Sequence, residues 1–193
     1  MMSRNAWLTA ALVVLALFVG SVLDSRLPKP DPADADPFLR PGVVGQAVEL
    51  RNGVVTATDV RAGTEIRSIG AITATTGRWL VVDYVFEARG EAQFKAPATL
   101  RLRAADGRLY GETPGATAAC GPAQPGIPLA CSVPFEVPVD AIEGAHLLVP
   151  AEVHIDLTDD VADIDLGLTA ERAAVVAAAE GRVELAEPTT VGG

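Results

Sequence analysis

Cys120 and Cys131 are the only cysteines in the chain, and they close the loop GPAQPGIPLA. No histidine lies nearby, so the two thiols make a poor zinc site, which wants four N or S ligands. A disulfide is the expected state in the oxidising compartment that the front of the chain implies. Over a loop near this size it constrains the unfolded chain by about 3 kcal/mol. A structural staple accounts for the pair by itself. The sharper alternative is a pinned recognition tip built on Pro122, Gln124, Pro125 and Ile127, since loops on a rigid scaffold often carry binding.

The second group of chemical interest is acidic: Asp156, Asp159, Asp160, Asp163 and Asp165. Asp159, Asp160 and Asp163 are weak candidates for calcium, which takes six to eight oxygen ligands. The spacing does not fit the twelve-residue loop, which needs Gly at its sixth position and Glu at its last. A solvated turn leading into Ile164, with Asp163 and Asp165 outward, explains the same residues. His146 and His154 are the only histidines. His154 shares an outward face with Glu152 and Asp156, as on a half-exposed strand. After the front end the only serines are Ser68 and Ser132, neither in a G-x-S-x-G setting. There is no Gly-rich phosphate loop and no H-E-x-x-H helix. The expectation is a protein that is not an enzyme and holds no cofactor and no metal.

Something must position these residues, and the front end says where. Ala6 to Leu23 is an uncharged run of 18 residues, about 27 Å as a helix. It just reaches across a hydrocarbon core of about 30 Å, with Trp7 at an interfacial position. Two readings compete. One is a retained anchor in the lipid bilayer, favoured because the apolar run continues through Val22 and Leu23. The other is a signal peptide with Arg4 as its charged start and cleavage at Val19-Gly20-Ser21. Arg26 and Lys29 beyond the run leave the positive-inside count undecided. Long domains translocate regardless of charge, and a cysteine pair expects an oxidising space. The amino terminus is therefore read as cytoplasmic and the rest as extracytoplasmic. Asp24 to Pro41 carries prolines at 28, 30, 32, 37 and 41, which favour extended polyproline geometry and make the run a spacer.

Composition agrees with a displayed β domain. The formal net charge is -10, and the part from Asp24 onward holds all 25 acidic residues but 14 of the 15 basic ones. Such a surface repels phosphate backbones, which excludes nucleic acid as a partner. Aromatics are only 5% while Gly and Pro together number 32, a balance that suits short strands between turns. The expected units are residues 1–23 as anchor or signal, 24–41 as linker, 42–168 as the β domain, and 169–193 as an Ala-rich tail.

Within the β domain the period is two. Val48 and Leu50 lead into Asn52-Gly53, the strongest short hairpin signal. A strand follows over Val54 to Arg61, then a turn at Ala62-Gly63, then an extended segment from Thr64 to Ala74 broken near Gly70. Trp79 to Glu87 is the clearest strand. Leu80, Val82, Tyr84 and Phe86 make one apolar face, and Trp79, Val81 and Val85 the other, interrupted by Asp83. Apolarity on both faces predicts a central, well-covered strand. Leu100 and Leu102 point inward, and Asp106-Gly107 turns the chain. Val133, Phe135 and Val137 alternate with Pro134 and Pro138, which places that strand at an edge or a bulge. His146–Val149, Glu152–Leu157 and the Ile164–Leu168 stretch complete eight or nine strands. Thr169 to Glu180 reads as a short helix capped by Thr169 and stopped at Gly181, and a cover for the second face of the central strand. Val183–Leu185 reads as a final edge strand, with a frayed end from Pro188.

The motifs Trp79-Leu80-Val81-Val82, Asp106-Gly107-Arg108-Leu109-Tyr110 and Phe135-Glu136-Val137-Pro138 follow in an order that resembles a known group. It is the extracytoplasmic immunoglobulin-like β-sandwich of secreted actinobacterial immunogenic proteins and related families of unknown function. The resemblance spans about residues 43–168. It implies an all-β, immunoglobulin-like two-sheet sandwich, here after one N-terminal transmembrane helix and a Pro-rich linker, and it brings no catalytic residues. The expected task is non-catalytic: a membrane-anchored interaction domain with an envelope protein as partner, such as an accessory subunit of a cell-envelope complex. The alternative is a secreted ligand- or metal-binding module released by cleavage.

Overall fold

The computed structural model describes residues 12–13, 15–17, 37–68, 71–95, 99–111, 120–151 and 160–192. The chain divides into two units, Met1–Ala35 and Asp36–Gly193. In the first, the described residues 12–13 and 15–17 are helical. The remainder of the expected anchor, and the Pro/Asp-rich run as far as Asp36, lie outside the described residues. Among the described residues no helix is long and apolar enough to cross a membrane.

The second unit is mostly β. Its elements are β1 (Phe38–Val43), β2 (Val48–Leu50), β3 (Gly53–Ser68), β4 (Ala71–Ala88), β5 (Gln93–Lys95), β6 (Arg101–Arg103) and β7 (Leu109–Tyr110). They continue as β8 (Cys120–Ala123), β9 (Leu129–Val137), β10 (His146–Pro150), β11 (Asp160–Asp165), α1 (Ala170–Ala177), β12 (Arg182–Glu184) and β13 (Thr189–Thr190). One sheet runs β1-β11-β10-β6-β7 and the other β12-β3-β4-β9-β13, with β2 also on β3 and β5-β8 as a separate pair.

Period-two patterning explains why these sheets share a core. Leu80, Val82, Tyr84 and Phe86 of β4 and Val133 and Phe135 of β9 join Leu102, Leu147 and Ile164 from the other sheet in one buried cluster. Their intervening neighbours point the opposite way. On that opposite face Trp79 and Val81 form a second, smaller cluster with Ile66 and Val183, flanked by Leu185. The sequence suggested the tail helix as their cover. The cover is the strand after it: β12 pairs parallel with β3, placing Val183 beside Ile66. The helix instead contributes Ala173 and Val176 to the main cluster.

Four other expectations change. Ala62-Gly63 is not a turn, because β3 runs through it to Ser68. The register shifts between Gly63 and Glu65, and the amides of Thr64 and Glu65 both donate to the Gly181 carbonyl. A Cβ on Gly63 would lie 2.6 Å from that carbonyl oxygen, so only glycine allows the approach. β3 and β4 pair as far as Ser68 opposite Ala71. The spacer ends earlier than Pro41, since β1 begins at Phe38 and pairs parallel with β11. Pro41 fits there because an edge strand can lack one donor. The tail is not frayed at Pro188, because Thr189 and Thr190 pair with Ala130 and Leu129. Pro150 is the last residue of β10, one beyond the expected Val149, and the strand expected over Glu152–Leu157 lies outside the described residues.

The start of the helix follows its sequence signal, since Thr169 Oγ1 accepts from the Arg172 amide. Its end does not: the C-cap is Ala178, three residues before Gly181, whose φ of +92° leads the chain into β12 instead. Arg78 Nε donates to the Ala177 carbonyl at 2.6 Å, placing a cation at the negative end of the helix dipole.

Candidate functional site

The cysteine loop joins β8 to β9. Cys120 and Cys131 form a disulfide with Cα atoms 5.6 Å apart, and both belong to the main buried cluster. Beneath the loop, β8 pairs with β5 through Gln93 opposite Ala123 and Lys95 opposite Cys120. The Gly126 amide donates to the Ala88 carbonyl, and the Ile127 amide to the Gln124 carbonyl. Gly126 at φ +73° makes the reversal. Ala123 points into the core, while Pro122, Gln124, Pro125 and Ile127 are all exposed. Ile127 leaves 46% of its surface in water. The Val191 amide donates to the Pro128 carbonyl, so the end of the chain borders the same loop, and Val191 is 48% exposed. The arrangement presents a rigid apolar tip flanked by one amide side chain. It can bind, but it carries no group that transfers a proton.

The described acidic candidates, Asp160 and Asp163, are not brought together. Asp159, with His154, lies outside the described residues. Asp160 is nearly buried, and its carboxylate accepts from Arg40 Nε at 2.6 Å and from the Arg51 amide at 2.8 Å. It therefore ties the β2–β3 hairpin of one sheet to β11 of the other. Asp163 lies three residues on, on the opposite face by strand alternation. It accepts from Arg103 Nη2 at 2.8 Å and contacts His146 Nδ1 at 2.8 Å. Among the described residues no group of three or more His, Cys, Asp or Glu side chains could hold a metal ion.

A constellation the sequence only hinted at sits on the outer face of β3, β4 and β9. Asp83, the charge interrupting an apolar face, receives Arg61 Nε at 2.6 Å, Arg61 Nη2 at 2.8 Å and Ser132 Oγ at 2.5 Å. Arg61 Nη1 donates to the Glu184 carbonyl. The bond to Asp83 holds the Arg61 pKa above its ordinary value, with burial working against it. Tyr84 borders the same cleft of about 310 Å³, with Ala186 and Thr189 of the tail, and burial pushes its phenol up. Chemically the cleft is self-satisfied. Arg61 directs its donors to protein acceptors, and Ser132 gives its proton to Asp83. His146 is bonded to Asp163 in the other sheet, so serine, carboxylate and imidazole do not converge. The signal in the sequence was Asp83 itself, an acid inside a strand apolar on both faces.

No protein-family model matches the chain, and neither a curated protein nor a solved structure matches it.

Proposed function

We propose that the chain is a non-catalytic interaction domain held outside the cytoplasmic membrane by its front end, with an immunoglobulin-like sandwich as the displayed body. The disulfide-pinned loop between β8 and β9 carries this reading. It offers Pro122, Gln124, Pro125 and Ile127 on a base fixed by Cys120–Cys131 and by the bond to Ala88. Pre-ordering of this kind lowers the entropy lost on binding. Two further observations support it. Two sheets share one core, as a sandwich requires, and the order of motifs resembles the secreted actinobacterial group. The 18-residue apolar run supports anchoring, with the amino terminus inside. The partner is an envelope protein, with the chain as an accessory subunit of its complex.

A photo-crosslinking residue at Ile127, in the full chain in its native membranes, tests the loop. The expected product is one discrete adduct with another envelope protein, identified by mass spectrometry. Labelling by solvent alone would sink the recognition role. A second reading is favoured by Val19-Gly20-Ser21: cleavage there would release the domain as a secreted ligand- or metal-binding module. Fractionation separates the two, because a retained chain stays with membranes at its full 19.9 kDa.

A further inference from the structure

The six-stranded sheet has an edge, along Ala71–Ala74, that no described residue covers; beyond it Thr75 Oγ1 donates to Glu136 Oε1 at 2.6 Å. β4 pairs with β3 along Ala71–Ala74, but β9 joins the other side of β4 only from Arg78. Every second residue of an antiparallel strand turns its N–H and C=O away from its neighbour, so this stretch offers a row of free ladder groups. Natural edges are usually protected by charge, proline or cover. Three other edges here are. The outer edge of β12 carries Arg182 and Glu184, that of β1 carries Arg40 and Pro41, and the open part of β9 carries Pro134. Ala71-Ile72-Thr73-Ala74-Thr75-Thr76 has neither charge nor proline, and Ile72 leaves 49% of its surface in water.

We infer that this edge pairs antiparallel with the same edge of a second copy of the chain, continuing the sheet across a two-fold axis. The edge is self-complementary. Uncharged, partly β-branched residues meet their own copies with no like charges opposed, which matters in a chain of net charge -10. Symmetry fixes the register further. Only residues of one parity turn ladder groups outward, so the axis must pass through a residue and place it opposite itself. The Gly77 amide donates to Thr75 Oγ1, and β4 leaves β3 after Ala74, the pairing resuming only at Trp79 opposite Gly63. The longest register ahead of that break is centred on Thr73, with Ile72 opposite the Ala74 position. Three residues give a paired length of about 10 Å, which makes a small, exchanging contact. This inference goes beyond the proposed function and does not depend on whether the front end is retained.

Single-cysteine variants of the full chain test it, in the membrane fraction or in the released fraction. Native Cys120 and Cys131 are already paired and buried. On mild oxidation Thr73→Cys should give a disulfide-linked band at twice 19.9 kDa, at least fivefold above Val175→Cys. Val175 is 70% exposed on α1, outside the edge strand. Adding Ile72→Lys and Ala74→Lys places lysine opposite lysine on both sides of the axis and should return the yield to the Val175→Cys level. Both lysines enter at exposed positions, so the monomer keeps its fold, and unchanged β circular dichroism verifies this. Equal yields from Thr73→Cys and Val175→Cys would overturn the inference, as would a Thr73→Cys band that survives both lysines.

Discussion

Arg61 meets Asp83 at two points, Nε to Oδ2 at 2.6 Å and Nη2 to Oδ1 at 2.8 Å. The two residues lie 22 apart in sequence, on neighbouring strands, and Ser132 from a third strand donates to the same Oδ1 at 2.5 Å. Forked, charge-assisted contacts of this kind are the stronger class of ion pair. Exposure of 34% and 24% for the two side chains limits the contribution through screening. Asp83→Ala should therefore lower stability by about 1–2 kcal/mol, leaving Arg61 without its carboxylate. Ser132→Ala should cost about 1 kcal/mol. Replacing both charges together, as Arg61→Leu with Asp83→Val, should cost less than the two single changes added, because no unmatched charge remains. Urea denaturation in a double-mutant cycle measures the coupling. Strict additivity would show that the contact does not hold the strands together.

The disulfide sits at the hinge between core and loop, so its loss should act on both. Cys120→Ser with Cys131→Ser should lower stability by about 3 kcal/mol, seen as a lower denaturant midpoint. The loop amides of Gln124, Gly126 and Ile127 should then exchange faster with solvent than those of β4, since only the bond to Ala88, the turn's own bond and the β5–β8 pairing remain. An unchanged midpoint would mean that these backbone bonds fix the loop without the disulfide.

The sequence shows local order well and long-range contact poorly. Leu80, Val82, Tyr84 and Phe86 alternate as a buried face and occupy one. A hairpin forms at the Asn52-Gly53 signal, although its two loop residues are Arg51 and Asn52 with Gly53 paired opposite Leu50, and Thr169 starts a helix, because these signals act within a few residues. Ala62-Gly63 misleads because its glycine serves a contact 118 residues away, the approach of the Gly181 carbonyl, instead of a local reversal. Val183 as the cover of Trp79 is invisible for the same reason, since a three-residue strand has no periodicity to declare its partner. The loop residues Pro122, Gln124, Pro125 and Ile127 were legible from the cysteine spacing. The Arg61–Asp83–Ser132 cleft was legible only as an anomaly at Asp83.

Asp106 gives a pH signature confined to one turn. Its carboxylate accepts from the Arg108 amide at 3.0 Å and from Arg108 Nε at 2.6 Å. The backbone bond first, then the side-chain bond, holds its pKa below the ordinary aspartate value. A depressed folded-state value means that the turn's stabilisation is present above the unfolded pKa and is lost as pH falls through the folded one. The side chain is exposed, so the readout must be local. The Arg108 amide resonance should titrate with a midpoint below that of an unstructured aspartate, and Asp106→Asn should abolish that titration. A midpoint at the ordinary value would show that these bonds do not persist in solution.

Trp79 reports on the tail strand. Its ring is fully buried against Ile66, Val81 and Val183, and its Nε1 donates to the Thr73 carbonyl at 3.1 Å. β12 reaches this site through three paired residues, Arg182–Glu184 against Glu65–Arg67, so Val183 is its main apolar contribution. Val183→Ala removes two methyl groups from a small cluster and should cost about 1–2 kcal/mol. Val183→Asp places an unpaired carboxylate against Trp79 and should release β12 altogether. Trp7 is the only other tryptophan, so a Trp7→Phe background isolates the signal. In that background Val183→Asp should shift the Trp79 emission to longer wavelength and raise its quenching by iodide, while Val183→Ala leaves the emission in place. If both variants keep the buried emission, the cover over Trp79 is not β12. Helix α1, whose Ala173 and Val176 pack on the other cluster, should stay folded in either case, because Arg78 at its C-terminus and Thr169 at its N-terminus do not depend on Val183.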